Sequence, residues 1–250
     1  MTNIALGYEP GWLLPPNVNA FVTFRHPGAS RDPYDSFNLG DHVGDDPKRV
    51  EKNRQTLVEQ LNLPQPPNWL QQVHGRNVVD GNIRTTTPVA DGIYTDSPNI
   101  VCAVLTADCL PILLCSKDGT EISAVHAGWK GLLNGVISAA LEKFYTPRED
   151  ILAYIGPGIS MRNYQVGVEL RDKFITADTR YGAAFRQCEN LPVGKLYLGL
   201  AQIAKMQLAH IGLNNIVDSD ICTFDQASDF YSYRRDDICG RFASLIWRSS

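Results

Sequence analysis

The chain of 250 residues has the composition of a folded protein with a substantial core. Hydrophobic residues make up 44% of it and charged residues 20%, which excludes disorder as its main state. The 20 glycines and 15 prolines follow no fixed period, so collagen-like, low-complexity and solenoid architectures are excluded as well. The formal net charge of −4 argues against a surface that neutralises many phosphates, and nucleic acid is therefore not an expected partner.

Targeting and membrane signals are weak in this sequence. The longest apolar stretch, residues 100–115, is interrupted by Asp108 and Pro111, whereas a membrane span needs about 20 apolar residues. The first ten residues lack the basic head and apolar stretch of a secretory signal. The six cysteines are widely spread, and no two of them form a C-x-x-C pair. We therefore expect reduced thiols in a cytoplasmic protein that does not associate with membranes.

The first predicted elements are a strand and a helix. Residues 19–25 favour a strand, and a loop rich in glycine and proline follows. Asp46 followed by Pro47 has the pattern of an N-cap and a first helical residue, which predicts a helix to about residue 62. Arg54 lies on the apolar face of this helix, so its guanidinium must either extend to the edge of that face or meet an anion.

Two strands joined by a tight turn are predicted in the middle of the chain. Residues 100–105 are continuously apolar, as in a strand that is covered on both faces. The polar residues 106–109 interrupt this pattern before a second apolar run at 112–115. A turn signal at 117–120 then predicts that residues 121–125 return as the hairpin partner of that second run.

Histidines stand at two junctions of these elements. Residues 69–80 are interpreted as two strand pieces that meet at Gly75, directly after His74. The hexapeptide 126–131, His-Ala-Gly-Trp-Lys-Gly, follows the hairpin strand. Apolar residues recur at helical spacing from 132 to 144, so the hexapeptide is predicted to be a strand-to-helix junction.

The second half of the chain repeats this mixture without a composition break that would mark a linker. Strands and helices do not alternate regularly, so we expect an α+β fold with a mixed-sheet sandwich in one compact domain, residues 1–250, and not a doubly wound sheet. The predicted elements are strands at 151–155, 216–224 and 242–247 and helices at 168–177 and 200–211.

Three predicted elements end at residues that bind metals. His74 follows one strand, Cys109 interrupts an apolar pair, and His126 ends the next strand. Cys109 and His126 lie at almost equal distances from the predicted turn, so they can face each other on neighbouring strands about 4.8 Å apart. Imidazole and thiolate suit zinc, and three protein ligands leave a fourth position open, as in catalytic zinc sites.

Other interpretations of these residues are open from spacing alone. The histidines can be hydrogen-bonded turn residues and Cys109 a small buried residue. Alternatively, Cys109 can be a nucleophile with His126 as its base, in an electropositive pocket to which Lys130 contributes. The glycine-rich turn at 126–131 also predicts an anion site that Lys130 would strengthen, against the alternative of an ordinary tight turn with a solvated lysine.

Six ordered segments resemble the laccase-domain family. This family was first described as multicopper polyphenol oxidases and is now associated with purine nucleoside phosphorylase activity. The resemblance extends over nearly the whole chain. It is carried by Ser-Phe-Asn-Leu-Gly-Asp-His-Val-Gly-Asp-Asp from Ser36, Gln-Val-His-Gly from Gln72, Thr-Ala-Asp-Cys-Leu-Pro from Thr106, His-Ala-Gly-Trp-Lys-Gly from His126, Ile-Gly-Pro-Gly-Ile from Ile155 and Phe-Tyr-Ser-Tyr-Arg-Arg-Asp from Phe230.

The resemblance implies a sandwich-type α/β fold with zinc held by His74, Cys109 and His126. It also implies phosphorolysis of adenosine, inosine, guanosine and methylthioadenosine, together with deamination of adenosine. Phosphate must then lie beside C1′ of the ribose, where fixed donors stabilise the developing charges. From the residues we predict Lys130, the turn amides and Arg54 or Arg241 as its binding groups, with Cys109 and His126 as catalytic residues. A monomer or a weak homodimer is expected.

The sequence departs from the family at two positions. Gln165 stands where relatives often have glutamate, so an acid–base role at that position is lost or was never required. Lys130 stands where arginine is also common, which gives a point charge in place of a planar fork. With only five histidines, a full multicopper centre cannot be built, although copper could occupy the single three-ligand site.

Three hypotheses follow from the sequence. The first is a cytoplasmic zinc-dependent purine nucleoside phosphorylase with adenosine deaminase side activity. The second is a metal-independent hydrolase that uses Cys109 and His126. The third is a non-catalytic module that binds metal or nucleotide.

Overall fold

The computed structural model describes residues 6–82, 87–189 and 191–250. Within them lie strands and helices in mixed order. The strands are β1 (Gly7–Tyr8), β2 (Val18–Thr23), β3 (Val78–Asp80), β4 (Gly92–Thr95), β5 (Val101–Thr106), β6 (Leu110–Ser116), β7 (Ile122–Ala127), β8 (Ile151–Ile155), β9 (Gln165–Gly167), β10 (Phe185–Arg186), β11 (Lys195–Leu198), β12 (Asn215–Asp218) and β13 (Phe242–Arg248). The helices are α1 (Pro47–Gln60), α2 (Trp129–Leu133), α3 (Val136–Leu141), α4 (Val168–Ala177), α5 (Leu200–His210) and α6 (Tyr233–Asp236).

Two sheets form the body of the molecule. One has the strand order β1-β2-β13-β5 and is antiparallel throughout. The other has the order β12-β8-β6-β7-β4-β3 and is mixed, because both of its edge strands pair in parallel with their neighbours. A small third sheet has the order β10-β11-β9. These sheets and helices confirm the predicted α+β class with a mixed-sheet sandwich.

Alternation along the strands creates three hydrophobic cores. In β5, Val101, Ala103 and Leu105 pack with Leu57 of α1, whereas Cys102 and Val104 pack toward the six-stranded sheet. That sheet in turn buries its other face against helices α2 to α5. The layers are therefore α1, the four-stranded sheet, the six-stranded sheet and helices α2 to α5. Each fully buried aliphatic side chain stabilises this arrangement by about 1.5–3 kcal/mol.

Most predicted elements are present with shifted ends. Helix α1 begins at Pro47, and its N-cap Asp46 accepts a hydrogen bond from the Lys48 N–H, as its pattern predicts. The prediction of one continuous helix over residues 132–144 is wrong. Gly135 adopts φ of 80° and divides the segment into the short helices α2 and α3, because glycine takes a left-handed conformation at little steric cost.

The predicted strand at 216–224 is shorter than expected, since β12 ends at Asp218. In the described residues, no helix is both long and apolar enough to span a bilayer.

Candidate metal centre and cavity

His74 lies on a loop that a single buried carboxylate holds in place. Asp91 is fully buried, and its two oxygens accept hydrogen bonds from the N–H groups of Val73 (3.3 Å), His74 (2.8 Å) and Gly75 (2.6 Å). His74 itself adopts φ of 58°, a left-handed conformation that is uncommon outside glycine. The carboxylate therefore holds the loop backbone in this conformation.

The same carboxylate orients His126 at the end of β7. The Nδ1 atom of His126 lies 2.8 Å from Oδ1 of Asp91, and the imidazole is only 3% exposed. This contact leaves Nε2 as the ring nitrogen available for a metal. A carboxylate on the far nitrogen is the usual partner of a metal-binding histidine, because it fixes the tautomer and the ring orientation.

Cys109 is held by a strained turn between β5 and β6. Asp108 adopts φ of 88°, and its carboxylate accepts hydrogen bonds from Thr223 Oγ1 and from the N–H of Arg234, each at 2.7 Å. Two distant segments of the chain therefore hold the turn that carries the thiol. The polar interruption in the apolar sequence marks this turn.

The hairpin has the register that its turn at residues 117–120 predicts, and Cys109 lies two residues from Pro111, the strand partner of His126. His126 pairs with Pro111, so Cys109 lies beyond the last strand pair, beside Gly128. A Cβ atom on Gly128 would lie 2.7 Å from the Cys109 Sγ and 3.1 Å from Cδ2 of His74. Cys109 thus approaches His126 diagonally, and glycine at position 128 leaves the space for the sulfur.

The structure brings the three predicted ligands together. One donor atom from each of His74, Cys109 and His126 lies within 4.8 Å of the others, and the two imidazole rings are 4.7 Å apart at an angle of 77°. Among the described residues, these three side chains are the cluster of histidine, cysteine or carboxylate groups that could hold a metal ion. Two imidazoles and a thiol are a donor set that zinc and copper both accept, so the residues present fit a metal.

The cluster also favours a thiolate when no metal is bound. Burial raises the pKa of the Cys109 thiol, but His126 and His74 outweigh burial and lower that pKa to about 6. Burial likewise lowers the pKa of His126, but Cys109 and Asp91 raise it to about 9. These opposite pKa shifts favour a thiolate beside a protonated imidazole in the metal-free protein, so the sulfur already has the form that binds a metal, whereas His126 must lose a proton to do so.

The three side chains lie in the wall of a cavity of about 430 Å³. Among the described residues, the rest of its lining includes three aromatic side chains, two arginines and one carboxylate. The remaining lining residues are His42, Gln72, Leu105, Thr106, Ala107, Asp108, Trp129, Tyr164, Tyr233, Arg234 and Arg241. Aromatic faces and a few fixed polar groups are typical of a small-molecule site.

The other predicted site residues are distributed differently. Arg241 lines the cavity, but Arg54 and Lys130 are not among its lining residues. Arg54 lies 3.3 Å from an oxygen of Asp41, whose side chain is 57% exposed, and stacks on the Trp69 ring, so its anion partner lies toward solvent and not inside the core. The predicted roles of Arg241, Arg54 and Lys130 in binding phosphate stay predictions.

The turn at 126–131 is also less suited to anions than its sequence indicates. Helix α2, which begins there, has five residues, so few aligned peptide dipoles are available to attract an anion. Lys130 is exposed, with its Nζ 5.6 Å from the centre of the Trp129 ring. The lysine therefore lies on the solvent side of this turn.

Several residues of the site were missed in the sequence, among them His42, Asp91, Tyr164 and Arg234. His42, Tyr164 and Arg234 lie in or beside segments that carry the family resemblance, so their positions offered a signal that could have been used. Asp91 gave none, because an aspartate followed by glycine is typical of an ordinary turn.

Comparisons with known proteins find relatives over nearly the whole chain. Residues 19–249 match the family model described as multi-copper polyphenol oxidoreductase laccase. A Haemophilus influenzae protein named purine nucleoside phosphorylase is 44% identical over 239 residues, which cover 96% of this chain and 98% of that protein. An Escherichia coli relative named purine nucleoside phosphorylase YfiH is also 44% identical, with 95% of this chain and 97% of its own length covered.

Solved structures show the same fold. A crystal structure of a Neisseria meningitidis protein superposes with a TM-score of 0.94 at 37% identity and covers 98% of this chain and 100% of that one. The Bacillus licheniformis protein YfiH, described as hypothetical, gives a TM-score of 0.86 at 29% identity, with 93% of both chains covered. The chain belongs to the laccase-domain family, the multi-copper polyphenol oxidoreductase laccases of the family model.

Proposed function

We propose that the protein is a zinc-dependent purine nucleoside phosphorylase. It would convert adenosine, inosine, guanosine and methylthioadenosine, with phosphate, to the free base and the sugar 1-phosphate, and it would deaminate adenosine as a side activity. The observation that carries the proposal is the His74, Cys109 and His126 cluster in the wall of a cavity lined by aromatic and cationic side chains. Relatives across nearly the full chain length are named purine nucleoside phosphorylase.

The three ligands would hold the metal and leave one coordination position toward the cavity. Zinc supplies a Lewis acid that polarises a substrate oxygen or lowers the pKa of water. The chain's own contribution is orientation, because Asp91 fixes the ring of His126 and the backbone of His74 through hydrogen bonds of 2.8 Å. Copper fits the same donor set, and phenol oxidation is the activity expected of copper-loaded protein.

Phosphorolysis of inosine defines what the cavity must do. A phosphate oxygen forms a bond to C1′ of the ribose while the bond from C1′ to N9 of the base breaks. The electron pair of that bond stays on the base, which takes up a proton and leaves as hypoxanthine. The cavity must therefore hold phosphate beside C1′ and bind a planar base, which the rings of Trp129 and Tyr164 can contact.

The test is to incubate protein of known metal content with inosine and phosphate, and to quantify hypoxanthine and ribose 1-phosphate. Adenosine with phosphate should give adenine, and adenosine without phosphate should give inosine and ammonia. Chelation should abolish these reactions, and zinc should restore them. If micromolar zinc-loaded enzyme forms no product from any of the four nucleosides, the proposal is wrong.

A second candidate function is a metal-independent hydrolase with Cys109 as nucleophile and His126 as base. The observation in its favour is the lowered pKa of Cys109, about 6, since a thiolate is the reactive form of cysteine. Full activity after exhaustive chelation, together with loss of activity when Cys109 is covalently labelled, would support this function over the first.

A further inference from the structure

The cavity beside the three ligands carries a positive charge that the whole chain does not. The chain has a formal net charge of −4, yet two arginines, Arg234 and Arg241, line the cavity with only one carboxylate, Asp108. Both oxygens of Asp108 already accept hydrogen bonds from the protein, from Thr223 and from the Arg234 backbone N–H. Anions are therefore attracted to this cavity more than to the average surface.

Backbone carbonyls, and not carboxylates, hold both guanidinium groups. Nη1 of Arg234 donates to the Gln165 carbonyl at 2.8 Å, and the guanidinium lies 4.8 Å from the centre of the Tyr164 ring. Nη1 of Arg241 donates to the carbonyls of Cys239 and Gly240, each at 2.9 Å.

Neither guanidinium forms an ion pair with a carboxylate within the described ranges of the chain. Arg235, one residue further along, behaves differently, because its Nη2 lies 2.7 Å from Asp236 Oδ2. A guanidinium has five N–H donors, and the two cavity arginines use only some of theirs on these carbonyls. Their positive charge and remaining donors are thus available to an anion.

A histidine of the same cavity lies close to Arg241. His42 lines the same cavity, and burial together with the charge of Arg241 lowers the pKa of its imidazole. The other charged groups that act on His42 are Asp41, which raises its pKa, and Arg54, which lowers it. Asp41 pairs with Arg54 at 3.3 Å, so its carboxylate offsets the charge of Arg54, whereas no carboxylate of the described residues forms an ion pair with Arg241.

We infer that Arg234 and Arg241 form the oxyanion-binding site of this cavity, and that inorganic phosphate is its ligand. The anion site itself stands on the geometry above, whereas its role as the site of the attacking phosphate rests on the proposed phosphorolysis. Guanidinium forks bind phosphate through paired, charge-assisted hydrogen bonds. The sequence suggests Lys130, Arg54 and Arg241 for this role. The inferred site keeps Arg241 and has Arg234 in place of the other two.

Steady-state kinetics test the inference first. Each of Arg234→Gln and Arg241→Gln should raise the KM for phosphate about tenfold or more, since each removes charge-assisted hydrogen bonds to the anion. The KM for inosine and the zinc content should change by less than about twofold. Arg171→Gln is the matched control, because this arginine pairs with Asp172 on the surface of α4 and should leave the KM for phosphate unchanged.

The variants Lys130→Gln and Arg54→Gln test the alternative that these two residues bind the phosphate. If either of them raises the KM for phosphate while Arg234→Gln and Arg241→Gln do not, the inferred site is wrong. Lysine replacements of the two cavity arginines should give intermediate values, because lysine restores the charge without the planar fork.

Direct binding separates this inference from the proposed reaction. Titration of zinc-loaded protein with inorganic phosphate, followed by calorimetry, should show saturable binding that both Gln variants weaken about tenfold or more. This result would support the site even if no nucleoside were cleaved. Absence of phosphate binding to the wild-type protein at millimolar concentration would overturn it.

A second titration shows whether the bound oxyanion belongs to free phosphate or to a nucleotide. Adenosine 5′-monophosphate carries the same oxyanion attached to a nucleoside. If it binds more tightly than phosphate does in the presence of adenosine, and depends on the same two arginines, then the site belongs to a nucleotide and free phosphate is not its ligand. Weaker binding of the monophosphate would support inorganic phosphate.

Discussion

Replacing Asp91 with asparagine is expected to weaken metal binding without changing any proposed ligand. The carboxylate serves His126 and the loop of His74 at once, with Oδ1 facing His126 Nδ1 and the His74 N–H, and Oδ2 facing the N–H groups of Val73 and Gly75. Burial raises the pKa of this carboxyl, but the hydrogen bonds from His126 and the loop lower it below its usual value. The native group is therefore an ionised acceptor on both sides.

The expected magnitude follows from these four contacts. Asparagine offers one carbonyl oxygen, so its amide NH₂ must face two of the four donors. Each buried donor without an acceptor costs about 1–3 kcal/mol of folding stability. Loss of a carboxylate partner of a metal-binding histidine typically lowers metal affinity about 10- to 100-fold, which is about 1.4–2.7 kcal/mol.

Chelator competition measures this effect on Asp91→Asn and on the control Asp172→Asn, which changes an exposed carboxylate on α4. Circular dichroism should show that both variants fold, and only Asp91→Asn should lose zinc affinity and melt at a lower temperature. An unchanged zinc affinity in folded Asp91→Asn would refute the argument that this carboxylate positions the ligands.

Three further predictions concern Cys109 and its surroundings. Gly128→Ala should weaken zinc binding while the fold persists, because its Cβ would lie 2.7 Å from the Cys109 Sγ. The control is Gly11→Ala, where the new Cβ meets no atom within 4 Å. Equal zinc affinities of the two variants in chelator competition would contradict the prediction. Cys109→Ala should abolish metal binding with an unchanged far-ultraviolet circular dichroism spectrum, since loss of a small side chain costs little packing, whereas unfolding at room temperature would mean that the ion is structural. In metal-free protein, alkylation of Cys109 by iodoacetamide, followed by peptide mass spectrometry, should be near its maximum at pH 7 and fall below about pH 6, because the thiolate is populated above the lowered pKa. Zinc should protect the thiol, and a midpoint near the ordinary thiol pKa of about 8.5 would contradict the lowered pKa.

The sequence predicts the elements of this fold better than their ends. The unbroken apolar run of β5 correctly indicates a strand covered on both faces, because every residue from Val101 to Thr106 is buried. The division of the helix after β7 was missed, since Gly135 and its left-handed conformation interrupt an otherwise regular apolar spacing. The interpretation of residues 1–250 as one domain stays a prediction.

The convergence of the three ligands was predicted, but the groups that hold them were not. His74, Cys109 and His126 each end a recognisable element, and that is a local signal. Asp91 is 17 residues from His74 and 35 from His126, and the Asp108 carboxylate meets an N–H that is 126 residues away. Such contacts depend on how the sheets pack and have no local pattern.

The cations illustrate the same limit. Lys130 is next to the junction in sequence, yet its side chain lies on the exposed side of that turn. Arg234 is distant in sequence but lines the cavity. Proximity along the chain therefore does not show which cations line the cavity: Arg241 was predicted from the sequence, whereas Arg234 is identified by the tertiary structure.

The most direct test of this account is anomalous diffraction at the zinc edge from crystals of zinc-loaded protein. One zinc ion per chain is expected, with its anomalous peak about 2.0–2.3 Å from a nitrogen of His74, a nitrogen of His126 and the sulfur of Cys109. A peak bound elsewhere, or a zinc site that lacks any of these three atoms, would contradict it.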